Sequence, residues 1–120
     1  MKNLNQVIED AIVKNLLEVF PESNVFTENV VQEVGANDVI IKQFDEQVFI
    51  LSANVRRRIP WIQVSFISPQ MEMNELLDNI YKSLSSFDIN GQEVLAEEIH
   101  TKDVNNIVHV QFRLDYRELI

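Results

Sequence analysis

The run Val48 to Ser68, VFILSANVRRRIPWIQVSFIS, constrains the fold more than any other part of the chain. Its β-branched and aromatic residues favour extended structure. It also carries the single tryptophan, Trp61, and the only cluster of basic residues, Arg56-Arg57-Arg58. After the arginines, Ile62, Val64 and Phe66 fall on one face, and Trp61, Gln63 and Ser65 on the other. Residues 62–66 therefore read as a core strand. Val48 to Val55 reads as its apolar partner, with the arginines at a hairpin tip. Pro60 has no N–H to give a ladder, so it should lie at the strand's start, at a bulge, or where that N–H would face away from a partner.

A chain of 120 residues is of one-domain length. Hydrophobic residues make up 46% and charged residues 24%, which excludes a disordered chain. There is no cysteine, which removes disulfides, thiol nucleophiles and thiolate ligands. No apolar run has membrane-spanning length, and no secretory signal is read at the N-terminus, so a soluble cytoplasmic product is expected. Ten basic against nineteen acidic residues give a net charge of −9. That argues against specific or broad nucleic-acid binding, which needs clustered cations.

Leu4, Val7, Ile8, Ala11, Ile12, Leu16, Leu17 and Phe20 recur at helical spacing, with Asn3 as the expected N-cap and Pro21 as the stop. Asn24 to Asn29 is a short β-prone piece, Gly35-Ala36-Asn37 a turn, and Val39 to Phe44 a strand. Asp45-Glu46 reads as a break before Val48. Ser68-Pro69 predicts the start of a second amphipathic helix carrying Met73, Leu76, Leu77, Ile80, Tyr81 and Leu84. Asn90-Gly91 marks a tight turn. Gln92 to Thr101 and Ile107 to Arg117 read as a closing hairpin. In its second arm Val108, Val110, Phe112, Leu114 and Tyr116 share one face, and His109, Gln111, Arg113, Asp115 and Arg117 the other. The expected fold is α+β: one domain, with two helices on one face of a mostly antiparallel sheet of four to five strands, in the order α-β-β-β-α-β-β.

Few residues suggest chemistry. His100 and His109 would be cross-strand neighbours in one register and could hold a metal with Glu98, but no metal-binding motif accompanies them, and surface histidines are the simpler interpretation. Glu97-Glu98 and Asp45-Glu46 are sequence neighbours, which in a strand point to opposite faces and so make poor acid–base pairs. Two glycines in the chain leave no phosphate-binding loop or nucleophile elbow. No cofactor, metal site or catalytic residue is expected. Arg56, Arg57 and Arg58 beside Trp61, with Phe49 upstream, have the composition of a protein interface, and a solvated hairpin tip is the alternative that the adjacent aromatic slightly disfavours.

The order and wording of the chain resemble the tail terminator (tail completion) proteins of tailed bacteriophages and prophages. The resemblance rests on Leu17 to Glu22, Val25 to Val30, the arginine-bearing return strand Arg56 to Phe66, Asn74 to Tyr81, Ile89 to Gly91, and Ile107 to Phe112. It spans nearly the whole chain and is carried by order and spacing. The second strand departs from the family: it begins Asp38-Val39-Ile40-Ile41 where members have a Pro-Cys-Phe-Phe-like start.

The resemblance implies a structural, non-enzymatic virion protein. It would form a homo-oligomeric ring, a hexamer, that caps the tail tube, stops its polymerisation and offers the head-connector proteins a joining surface. It would sit in the virion tail after assembly in the host cytoplasm. The expected interface residues are Phe49, Arg56, Arg57, Arg58, Trp61, His109 and Arg113. A neck or connector adaptor, and a small α+β ligand- or metal-binding domain, are the alternatives.

Overall fold

The computed structural model describes residues 5–27 and 34–120. Helix α1 (Gln6–Val19) is followed by strands β1 (Val25–Thr27), β2 (Val39–Ser52) and β3 (Val55–Ile67). Helix α2 (Met73–Leu84) precedes β4 (Ser86–Ile89), β5 (Gln92–Leu95), β6 (Glu97–Val104), β7 (Ile107–Arg113) and β8 (Tyr116–Leu119). The architecture is α+β with a mixed, mostly antiparallel sheet. Its strand order is β1-β2-β3-β7-β6, with β8 also paired to β3, and β4-β5 forms a separate two-stranded ribbon. The main sheet thus has six strands rather than four or five. The added strand of the main sheet comes from an interruption that divides the C-terminal arm into β7 and β8, while Ala96 divides the expected Gln92–Thr101 arm into β6, which stays in the sheet, and β5, which pairs with β4 in the ribbon. Among the described residues, no helix is long and apolar enough to cross a membrane.

Alternation decides which face is buried. Ile62, Val64 and Phe66 of β3, Val39 and Ile41 of β2, and Val108, Val110 and Phe112 of β7 join Leu114 and Tyr116 in one core cluster. Ile8, Ile12 and Leu16 of α1 and Leu76, Ile80 and Leu84 of α2 pack into the same cluster, so both helices cover this face. Phe20 meets Phe66 with ring centroids 5.2 Å apart, and Phe87 stacks on Phe112 at 5.7 Å.

The expected Asn3 cap lies outside the described residues. In the described helix Asn5 Oδ1 accepts the Val7 N–H at 2.9 Å. Ser68-Pro69 does not start α2. Ser68 instead lies in the left-handed region (φ 40°), and its N–H bonds the Asn106 carbonyl at 2.9 Å. Gln70 N–H donates to Asn37 Oδ1 at 2.8 Å. These bonds hold the linker to the loops, and the helix begins four residues later. There the Glu72 carboxylate accepts from the N–H groups of Asn74 and Glu75 at 3.0 and 3.1 Å.

Asn90 and Gly91 both take positive φ, as a tight turn between β4 and β5 requires. Asp38, the first residue of the segment that departs from the family pattern, is buried. Its carboxylate accepts the Gly35 N–H at 2.7 Å and the Asn24 amide at 3.3 Å, which pins the loop ahead of β2.

Candidate interaction surface

β2 and β3 extend beyond the body of the sheet as a long hairpin, and β8 adds a third strand to it at Val55–Arg58. This three-stranded arm contributes to an elongated molecule of 47 × 29 × 23 Å. Asp45-Glu46 does not break the strand. β2 runs on through a bulge between Gln43 and Asp45. The tip is not at the arginines either. The chain reverses between Ser52 and Val55, so Arg56, Arg57 and Arg58 lie within β3, each paired on both sides.

Strand geometry therefore splits the arginine run. Arg57 shares the open face, away from the helices, with Ile59, Trp61, Gln63 and Ser65. Arg56 and Arg58 share the helix-side face with Pro60 and Ile62. Arg57 donates Nε and Nη2 to the two carboxylate oxygens of Asp115 at 2.9 and 2.6 Å, and its guanidinium lies 5.5 Å from the centre of the Phe49 ring. The hydrogen bond from Arg57 holds the Asp115 carboxyl below its ordinary range and raises the arginine in turn. Arg58 bridges Glu46 at 3.1 Å and Glu118 at 3.0 Å, and the bond to Glu118 raises its pKa. Across from it, burial pushes the Tyr116 hydroxyl up to about 12.

Trp61 and Arg113 are directly opposed on β3 and β7, with the guanidinium 5.8 Å from the indole centre. Phe44, the residue at the β2 bulge, tilts against the same indole at 6.2 Å. Arg113 is further tied to Glu97 at 3.1 Å and Glu98 at 3.2 Å. The face around Trp61 is thus aromatic with neutralised charges.

His100 and His109 are not opposite one another. His100 pairs with Gln111, and Lys102 with His109, one step away from the register that would have joined the imidazoles. No cluster of three or more metal-ligating side chains exists among the described residues. The histidines instead line a shallow groove of about 390 Å³ with Gln63, Lys102, Val104 and Gln111.

The residues that sequence reasoning missed are those that complete these groups: Phe44, Glu46, Asp115 and Glu118 around the arginines, and Leu119 and Ile120 beside the tip. Val48, Phe49, Ile50 and Leu51 are exposed on β2, with Ile50 at 78%, and Leu119 and Ile120 beside them, with Leu119 at 82%. β1 pairs only with Val39–Ile41, so among the described residues the outer edge of β2 from Lys42 to Ser52 has no strand partner. No protein-family model matches the chain, and a search of curated proteins finds no match.

Proposed function

We propose that this protein is a structural component of a phage or prophage virion that works as a tail terminator. Copies assemble into a ring, six in number, on the end of the finished tail tube. The ring blocks addition of further tube subunits and provides the surface that the head connector meets. The protein then resides in the virion tail, after assembly in the host cytoplasm, and carries no catalytic centre or cofactor.

Two observations support this reading: the resemblance in order and spacing across the sequence, and the arm. The arm carries the weight. It presents a strand edge and six exposed apolar residues, Val48, Phe49, Ile50, Leu51, Leu119 and Ile120, beyond the body of the sheet. Val48 and Ile50 share one face of the arm with Arg58 and Arg56, and Phe49 the other with Arg57, so both faces of the arm carry exposed apolar side chains that a partner can cover. An edge strand can accept a partner strand through main-chain hydrogen bonds.

The test is electron microscopy of tail tubes polymerised with and without the protein. Tubes capped by a ring and arrested in length support the function. Tubes that keep growing, with the protein left unbound, refute it.

A further inference from the structure

The open face of the sheet holds a chain of side-chain hydrogen bonds from His100 to His109. His100 Nε2 lies 2.9 Å from Gln111 Oε1, which can only accept. Gln111 Nε2 donates to Gln63 Oε1 at 2.9 Å, and Gln63 Nε2 donates to Ser65 Oγ at 3.3 Å. Ser65 Oγ lies 2.8 Å from His109 Nδ1, which closes the chain of contacts.

Both amide oxygens are thereby engaged. What the groove has left to offer is mostly N–H: the second protons of the Gln63 and Gln111 amides and the Lys102 ammonium across from His109. No carboxylate lines the groove. Lys42 stands on the same face, directly across from Gln63. Among the described residues no salt bridge engages Lys42 or Lys102. The nearby carboxylates Glu97 and Glu98 are already held by Arg113, and Asp45 lies further along, opposite Trp61.

A donor-rich, carboxylate-free groove is unusual on a chain of net charge −9. The compensating charge lies on the other side of the molecule. Among the described residues of α1, α2, the β4–β5 ribbon and their flanks, Glu9, Asp10, Glu18, Glu22, Glu72, Glu75, Asp78, Asp88 and Glu93 stand against Lys14 and Lys82. This acidic layer and the donor groove lie on opposite faces of one chain, so they cannot meet within a molecule.

We infer that the groove formed by Gln63, His100, Lys102, His109 and Gln111 receives carboxylates from the acidic helical layer of a second copy of this chain. The contact is head-to-tail, and contacts of that type close by rotation into rings or continue as filaments. It rests on the ring function for the identity of the partner, and it names the two surfaces that meet. Opposed potentials of this kind set register and speed encounter, and they weaken with salt.

Sedimentation velocity on the full chain, at low and high ionic strength, tests it with a charge swap. The wild type should self-associate with concentration at low salt, and association should weaken in high salt. Lys42→Glu/Lys102→Glu should self-associate roughly tenfold more weakly, as should Asp10→Lys/Asp78→Lys. An equimolar mixture of the two variants should recover association, because each then offers the other an opposite charge. Circular dichroism confirms that each variant is folded. Rings that persist unchanged in the Lys42→Glu/Lys102→Glu variant, or a mixture that associates no better than its components, overturn this contact and leave ring formation standing. A wild type that stays monomeric both alone and on tail tubes overturns the contact and the ring together.

Discussion

Arg57 and Asp115 meet at 2.6 Å across the seam where β8 joins the arm. The pair lies on the open face and locks the last strand to the return strand of the hairpin. Arg57 depresses the Asp115 carboxyl below its ordinary value of 3.8. A carboxylate with a lowered folded pKa contributes stability above that ordinary value, and the contribution is lost as pH falls through the folded one. Asp115→Asn should therefore be less stable than wild type at neutral pH. The gap between their melting temperatures should close as pH drops below about 4, and thermal melts across that range measure it. A gap that is constant with pH would show that the ion pair is not its source.

On the opposite face, Arg58 holds Glu46 and Glu118 together, and the side chains of all three are largely shielded from solvent. Arg58→Met should leave two carboxylates facing each other without a cation. The expected loss is about 1–3 kcal/mol, read from the urea midpoint. Adding Glu46→Gln should recover part of it.

Phe112 is fully buried and stacked on Phe87. Phe112→Ala should cost about 3–5 kcal/mol, measured by denaturant unfolding. A negligible loss would contradict its place between the sheet and the β4–β5 ribbon.

Ile50 is the most exposed residue of the apolar run at the arm's tip. Ile50→Glu should change stability by no more than about 0.5 kcal/mol and abolish tube capping in the microscopy assay. Capping at wild-type levels would remove the tip from the interface.

Tyr116 should govern the alkaline limb. Its hydroxyl is raised from 10.0 to about 12 by burial. A raised acid adds stability that is complete below the unfolded value and is lost as pH rises through the folded one. Wild type should lose about 2–3 kcal/mol between pH 10 and 12 on this account. Tyr116→Phe should not show that component in urea titrations at alkaline pH.

The C-terminal alternation from Val108 to Tyr116 was legible because a period of two leaves one choice of face, and all five residues are buried. The two helices were legible from their spacing, but the start of α2 was not. Ser68-Pro69 is a strong local signal that tertiary bonds to Asn106 and Asn37 override. The arginine run was placed at a tip because three adjacent cations look like solvated loop. The true turn, Ala53-Asn54, contains no glycine and sends a weaker signal. Alternation alone could have separated Arg57 from its neighbours. The carboxylates that neutralise the arginines, and the hydrogen-bond chain from His100 to His109, depend on a register between distant strands that periodicity leaves open by steps of two.

Pro60 sits in the middle of β3 rather than at its start, at a level where the strand has no paired residue on its β7–β8 flank, one of the places open to a residue without an N–H. At its level the C-terminal chain gives up one strand and begins the next, with the Leu114 N–H reaching back to the Pro60 carbonyl at 3.1 Å. On the other flank β2 has just passed its bulge. β3 is thus the one strand of the three that crosses this level without an irregularity. Ile59 and Pro60 are the two residues of β3 without a partner on the β7–β8 flank, so a residue with no N–H to donate forfeits no ladder bond there, and the central strand of the arm runs unbroken past a gap that its neighbours leave.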